Sequence, residues 1–124
     1  MSIQSDIYTA LAAVAGGRVY PAGEVPEGVP LPLVTYRRTL HAPVMTLGGY
    51  EGTTNSIFVF ECWGETTATA SAKQSALDVA TAVIAAIEAA AGLVRKYRTD
   101  VSGEDYDPET LETMEPVSYS FWHA

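Results

Sequence analysis

The sequence has little of the chemistry that catalysis and covalent cross-linking need. Cys62 is its only cysteine, so no disulfide can form within the chain, and a reducing compartment suits it. Its two histidines, His41 and His123, are far apart in the sequence, and we expect each to be an ordinary surface or strand-end residue. These absences weigh against a nucleophilic Cys/His pair and a disulfide framework.

No hydrophobic run is long enough to suggest a membrane span. The most apolar stretch, Ala76–Val94, is interrupted by Asp78, Thr81 and Glu88. The N-terminus contains Asp6 and has no basic residue among its first 17 positions, unlike a secretory signal peptide. We therefore expect synthesis in the cytoplasm and no membrane partner.

Basic residues are also scarce. The chain has 7 Lys and Arg residues against 15 Asp and Glu, which gives a net charge of −8. The second half is the more acidic, because residues 63–124 carry 4 basic and 10 acidic groups. This charge argues against a protein that grips nucleic acid through its phosphates. It is compatible with a passage for DNA, since attraction to the wall would hinder movement.

The glycine-rich and acidic segments lack the spacing of known binding loops. Asp105 and Asp107 begin a pattern like an EF-hand loop, but Thr110 occupies the position where that loop needs glycine. Gly48–Gly52 has neither the following Lys-Ser/Thr nor the helix start of a phosphate-binding loop. We therefore predict no catalytic residue, no cofactor and no metal site.

Hydrophobic periodicity predicts two helices. An apolar stripe at spacings of four, four and three residues indicates a helix over about residues 4–15, which Gly16 and Gly17 end. A longer alanine-rich helix is predicted to begin at Thr66 or Thr67 and to end at Gly92. Both are amphipathic, so each should pack one face on a sheet.

Alternating and β-branched segments predict about four strands, near residues 33–39, 56–64, 93–100 and 116–123. In the second of these, Phe58 and Phe60 line the face that we expect a helix to cover. The order α-β-β-α-β-β predicts a single α+β domain over residues 1–124, with a mainly antiparallel sheet.

Residues 40–55, between the first two strands, contain three glycines and show no convincing period. This pattern predicts a long loop, and loops of that length are often functional. Its apolar side chains are candidates for contact with a partner: Val44, Met45, Leu47 and Tyr50.

Short motifs follow one another along nearly the whole chain. They are Arg18-Val19-Tyr20-Pro21, then Leu31-Pro32-Leu33-Val34-Thr35-Tyr36, Glu61-Cys62-Trp63 before the alanine-rich helix, and the closing Tyr119-Ser120-Phe121-Trp122-His123. In this succession the sequence resembles the siphophage tail completion family, the tail terminators of long-tailed phages and prophages.

The resemblance implies a structural virion protein with no catalytic residues and no cofactor. It implies a homo-oligomeric ring, commonly a hexamer, that caps the head-proximal end of the tail tube and ends its polymerisation. The partners would be the tail tube protein and the connector or neck proteins of the head, with DNA only passing through. Such a protein would be assembled in the host cytoplasm and reside in the tail or neck of the virion.

The acidic residues 104–115 are compatible with this role. If the chain forms a ring, carboxylates at its channel or rim would not hold the genome back. The candidates are Glu104, Asp105, Asp107 and Glu109.

Two alternatives stay open at the level of sequence. One is a head-completion or neck-joining protein of the same particle. The other is a small ligand-binding or enzymatic α+β domain, which would need a concave polar pocket with convergent titratable groups.

Overall fold

The computed structural model describes residues 3–46, 49–65, 72–90, 93, 96–99, 105–107 and 112–123. The helices are α1 (Ile3–Leu11) and α2 (Ala72–Ala89), with a short 3-10 turn at Val14–Gly17. The strands are β1 (Val19–Pro21), β2 (Leu33–Thr46), β3 (Gly49–Gly64), β4 (Lys96–Thr99), β5 (Asp105–Asp107) and β6 (Glu112–His123).

All six strands belong to one sheet. Its order is β1-β2-β3-β6-β4, and β5 pairs with β6 beside β4. β1 runs parallel to β2, and the remaining pairs are antiparallel. The predicted α+β class with a mainly antiparallel sheet is therefore confirmed. The two strands beyond the expected four are three residues each, too short to show a period in the sequence.

Helix α1 ends earlier than its hydrophobic stripe predicts. Ile3, Ile7 and Leu11 are buried along one face, as the spacing indicates. The chain then turns through positive φ angles, +65° at Gly16 and +86° at Gly17, which glycine adopts without steric cost. This turn directs the chain into β1 beside β2.

Helix α2 packs on β3 and β6 and completes the core. Val83 and Ile87 of the helix are fully buried in the same cluster as Phe58, Phe60 and Phe121. The predicted helix cover over Phe58 and Phe60 is therefore confirmed. We call the side of the sheet under α1 and α2 the helix face, and the opposite side the open face. Residues 66–71 and 91–92, which include the predicted ends of this helix, lie outside the described residues.

A hydrogen bond joins α2 to the sheet at the margin of this core, where Glu88 is exposed. The Tyr119 hydroxyl donates a hydrogen bond to Glu88 Oε1 at 2.8 Å. Burial, followed by this hydrogen bond, raises the pKa of Tyr119 to about 12. The hydroxyl therefore stays protonated near neutral pH and remains a donor to α2.

The predicted loop over residues 40–55 is wrong, because the segment is a β-hairpin. β2 continues to Thr46 and β3 begins at Gly49, with Met45 opposite Tyr50 in the register. Register shifts after Arg38 and after Pro43 break the two-residue alternation that identifies a strand in sequence. Leu47 and Gly48 lie outside the described residues.

Candidate functional site

The hairpin formed by residues 40–55, which we call the hairpin arm, extends past the rest of the sheet. On the β3 side, pairing with β6 stops at Thr54, opposite His123. On the β2 side, β1 reaches only Val34–Tyr36. Within the described chain, the end of the arm is therefore paired with itself alone, and both of its outer edges carry backbone groups available to another strand.

The four predicted contact residues fall on this arm. Val44 and Met45 lie on β2, and Tyr50 lies on β3 directly opposite Met45. Leu47 lies outside the described residues. The register thus brings Met45 and Tyr50 together, and their role in contacting a partner stays a prediction.

The acidic candidates lie at the other edge of the sheet. Asp105 and Asp107 belong to β5, where they pair with Met114 and Glu112 of β6. This part of the acidic segment is therefore a short strand. Glu104 and Glu109 lie outside the described residues.

The sheet register brings the two histidines nearer than their sequence positions indicate. His41 is opposite Ser56, and the Ser56 hydroxyl lies 2.8 Å from Nε2 of His123. Ser56 is fully buried, so no substrate can reach its hydroxyl. Among the described residues, no three His, Cys, Asp or Glu side chains group as metal ligands. This Ser–His contact therefore bonds β3 to β6 and forms no accessible nucleophile.

The Cys62 thiol is also unsuited to chemistry. It is completely buried in the core of β3, within the aromatic layer under α2. Burial, with smaller contributions from Glu115 and Glu61, raises the pKa of the thiol to about 12. It is therefore protonated and shielded near neutral pH.

A groove of about 440 Å³ lies on the open face beneath the proline-rich segment. The Trp63 indole N–H donates to Thr35 Oγ1 at 3.4 Å, and Arg37 Nε lies 3.5 Å from Glu61 Oε1. Among the described residues that line it, Glu61 is the only charged one, so this part of the chain brings no convergent titratable groups there for proton transfer. The remaining lining residues are Ala22, Gly23, Val25, Pro26, Gly28, Val29, Leu31 and Leu33.

The open face carries apolar side chains as well. Ile57 and Val59 are half-buried there, and Trp122 is 39% exposed. Asn55 is buried beside them and donates through Nδ2 to Ser120 Oγ at 2.7 Å. The alternation of β3 and β6 signals this face, because it separates these residues from Phe58 and Phe121. No helix among the described residues covers it.

Basic charge collects where the outer edge of β2 becomes unpaired. The Arg38 guanidinium lies 5.3 Å from the centre of the Phe58 ring, a cation–π contact on the helix face. Arg37 points to the open face, with a side chain that is 57% exposed. The two neighbouring arginines thus place positive charge on both sides of one strand edge.

The described helices include none with both the length and the hydropathy of a membrane span. None of the curated proteins gives a significant match to the chain. A family model described as tail completion protein gp17 matches residues 7–123. The match includes α2, every strand and the hairpin arm. The chain therefore belongs to the tail completion protein gp17 family, whose members are structural proteins of phage tails.

Proposed function

We propose that this protein caps the head-proximal end of the phage tail tube, ends tube polymerisation and provides the surface to which the head is joined. Membership of the tail completion family supports a role in the tail. The observation that carries the finer proposal is the hairpin arm, whose end pairs with no other part of the described chain. An arm of this kind can reach a neighbouring molecule without unfolding the domain.

The arm has two means of holding a partner. Its outer edges offer backbone donors and acceptors to an added strand. Its apolar residues, Val44, Met45, Leu47 and Tyr50, offer surface that is stabilised by burial. We infer that the arm contacts the terminal subunits of the tube or the next copy of this chain.

Capping follows from an asymmetry between two surfaces. A protein that binds the growing end of a tube, but does not display the tube protein's own surface on its other side, stops further addition. The other side is then free to bind the connector or neck proteins of the head. The role is structural, and the buried Ser56 and Cys62 are consistent with that. We further propose a homo-oligomeric ring, most simply a hexamer, built in the host cytoplasm and retained in the virion.

Polymerisation of purified tail tube protein tests the proposal. Added protein is expected to shorten the tubes in proportion to its concentration and to be found at one end by electron microscopy. Unchanged tube length with no end-bound protein would contradict it. Binding to the capsid connector alone would instead support a head-completion role.

We also propose that the acidic residues Glu104, Asp105, Asp107 and Glu109 lie at the channel or rim of the ring. Reversing Asp105 and Asp107 to lysine is expected to lower phage titre, by impairing assembly or by retarding DNA at the wall. The matched control is Glu24→Lys with Glu27→Lys, which changes the net charge equally in the exposed proline-rich segment. Equal titres from the two double variants would rule this placement out.

A further inference from the structure

The two edges of the sheet are matched in length. On one side, the outer edge of β2 has no paired strand from Arg37 to Thr46, within the described chain. On the other side, β5 and β4 lie end to end along β6, opposite Glu112–Met114 and Ser118–Phe121. We call these the β2 edge and the β4–β5 edge. The β2 edge spans ten residue positions, 37–46, or about 33 Å at the rise of an extended strand. The β4–β5 edge covers the same number of positions along β6, 112–121, of which β5 and β4 pair with seven.

The edges are also complementary in charge. The β2 edge begins with Arg37 and Arg38 and contains no acidic residue. β5 supplies Asp105 and Asp107. They belong to the segment of residues 104–115, which has six carboxylates and no basic residue. The basic residues of β4, Lys96 and Arg98, would face the part of the β2 edge that carries no lysine or arginine. The attraction between arginine and aspartate at one end of the join is therefore not opposed by repulsion between basic residues at the other end.

Strand direction permits the same join to be repeated. β2 and β6 run in one direction, and β3, β4 and β5 run in the other. If the β2 edge of a second copy pairs antiparallel to β4 and β5, that copy has the same strand direction as the first. Identical orientation is the condition for a head-to-tail interface, which closes into a ring when its rotation allows. A β2-to-β2 join would give a closed pair and would bring two arginine-bearing edges together.

We propose that copies of this chain join edge to edge, the β2 edge of one against the β4–β5 edge of the next, so that their sheets form one continuous closed sheet. This inference rests on the proposed ring and names the surfaces that build it. The occupant of each edge is a second copy of this chain. Arg37 is placed opposite the strand that carries Asp105 and Asp107 of the neighbour, and the antiparallel pairing fixes which ends meet.

Charge reversal tests the join, with the readout being assembly on tail tubes and in solution. Arg37→Glu and Asp107→Lys are each expected to reduce the ring to single chains of 13.2 kDa, as measured by light scattering. Arg37 is suited to this because its side chain is largely exposed, whereas Arg38 stacks on Phe58. Circular dichroism shows whether each variant remains folded.

Mixing the two single variants gives the sharper result. In an alternating ring, the introduced glutamate and the introduced lysine would meet at one join, and the original Arg37 and Asp107 would meet at the next. Neither variant alone is expected to assemble, but the mixture is expected to recover the wild-type size. The double variant Arg37→Glu/Asp107→Lys should recover it too. Full assembly of either single variant alone would overturn the proposal.

Cross-linking checks the pairing without relying on charge. Arg37→Cys combined with Asp105→Cys or Asp107→Cys is expected to give a ladder of covalent multimers with a short bismaleimide. Glu27→Cys with Asp107→Cys is the control, and the buried Cys62 adds no background. Rings that cap tubes without this ladder would overturn the edge pairing and leave the capping role intact. Wild-type protein that neither assembles nor binds tubes would overturn both.

Discussion

A variant in which Val44, Met45, Leu47 and Tyr50 are all serine is expected to remain folded and to lose the ability to cap tail tubes. The end of the hairpin arm is paired only with itself in the described chain, so the remaining sheet keeps its hydrogen bonds. The change removes four apolar side chains from the hairpin arm, whose end lies beyond the strands that pair with the rest of the sheet.

The expected loss is large because the four side chains act together. Burial of one such side chain in an interface stabilises it by about 1.5 kcal/mol at the low end of the usual range. Four give about 6 kcal/mol, and about 1.4 kcal/mol corresponds to a tenfold change in affinity. Affinity for the tube should therefore fall about 10⁴-fold, which tube sedimentation with bound protein can measure.

The control replaces exposed apolar residues on the two helices. Tyr8 and Leu77 are 51% and 37% exposed on α1 and α2, and the variant Tyr8→Ser/Leu77→Ser should cap tubes like the wild type. Both variants should have the same far-ultraviolet circular dichroism. Normal capping by the arm variant, or loss of capping by the control, would show that the arm is not the contact.

Sequence reasoning succeeded where one face of an element is buried and the other is not. The stripe of Ile3, Ile7 and Leu11 indicated α1, and the alternation around Phe58 and Phe60 indicated both β3 and its helix cover. In these elements burial imposes a regular period on the side chains, so the period predicts the structure.

Sequence reasoning failed where pairing, and not burial, holds the backbone. The hairpin arm is stabilised by main-chain bonds between β2 and β3, and its register shifts after Arg38 and Pro43 remove the alternation. β5 is three residues long and exists because β6 offers it an edge. The nearness of His123 to Ser56 depends on a pairing of strands 67 positions apart, which no local pattern reports.

The fold also determines which face of β3 holds the protein together. Phe60 is fully buried under α2, with its ring 6.3 Å from that of Tyr36 and 6.4 Å from that of Phe58. Val59 is the preceding residue along the strand, and it is half-buried on the open face. These neighbours therefore form a matched pair for measuring the two faces.

Phe60→Ala is expected to lower the free energy of unfolding by about 3–5 kcal/mol, because it opens a cavity among packed rings. Val59→Ala should lower it by about 1 kcal/mol, since little apolar surface is lost there. Urea unfolding measures the free energy of unfolding of both variants. The dependence of that free energy on urea concentration should be the same as in the wild type. Equal losses of unfolding free energy in the two variants would mean that the open face is packed as tightly as the helix face.

The comparison also separates folding defects from interface defects. Domains of this size are stable by about 5–15 kcal/mol, so Phe60→Ala removes a large share of that margin and lowers the amount of folded protein. Whatever Phe60→Ala protein stays folded keeps the hairpin arm and should still cap tubes. The serine variant of the arm should show the reverse, with normal stability and no capping. If both variants lost both stability and tube capping, the arm and the core would belong to one cooperative unit.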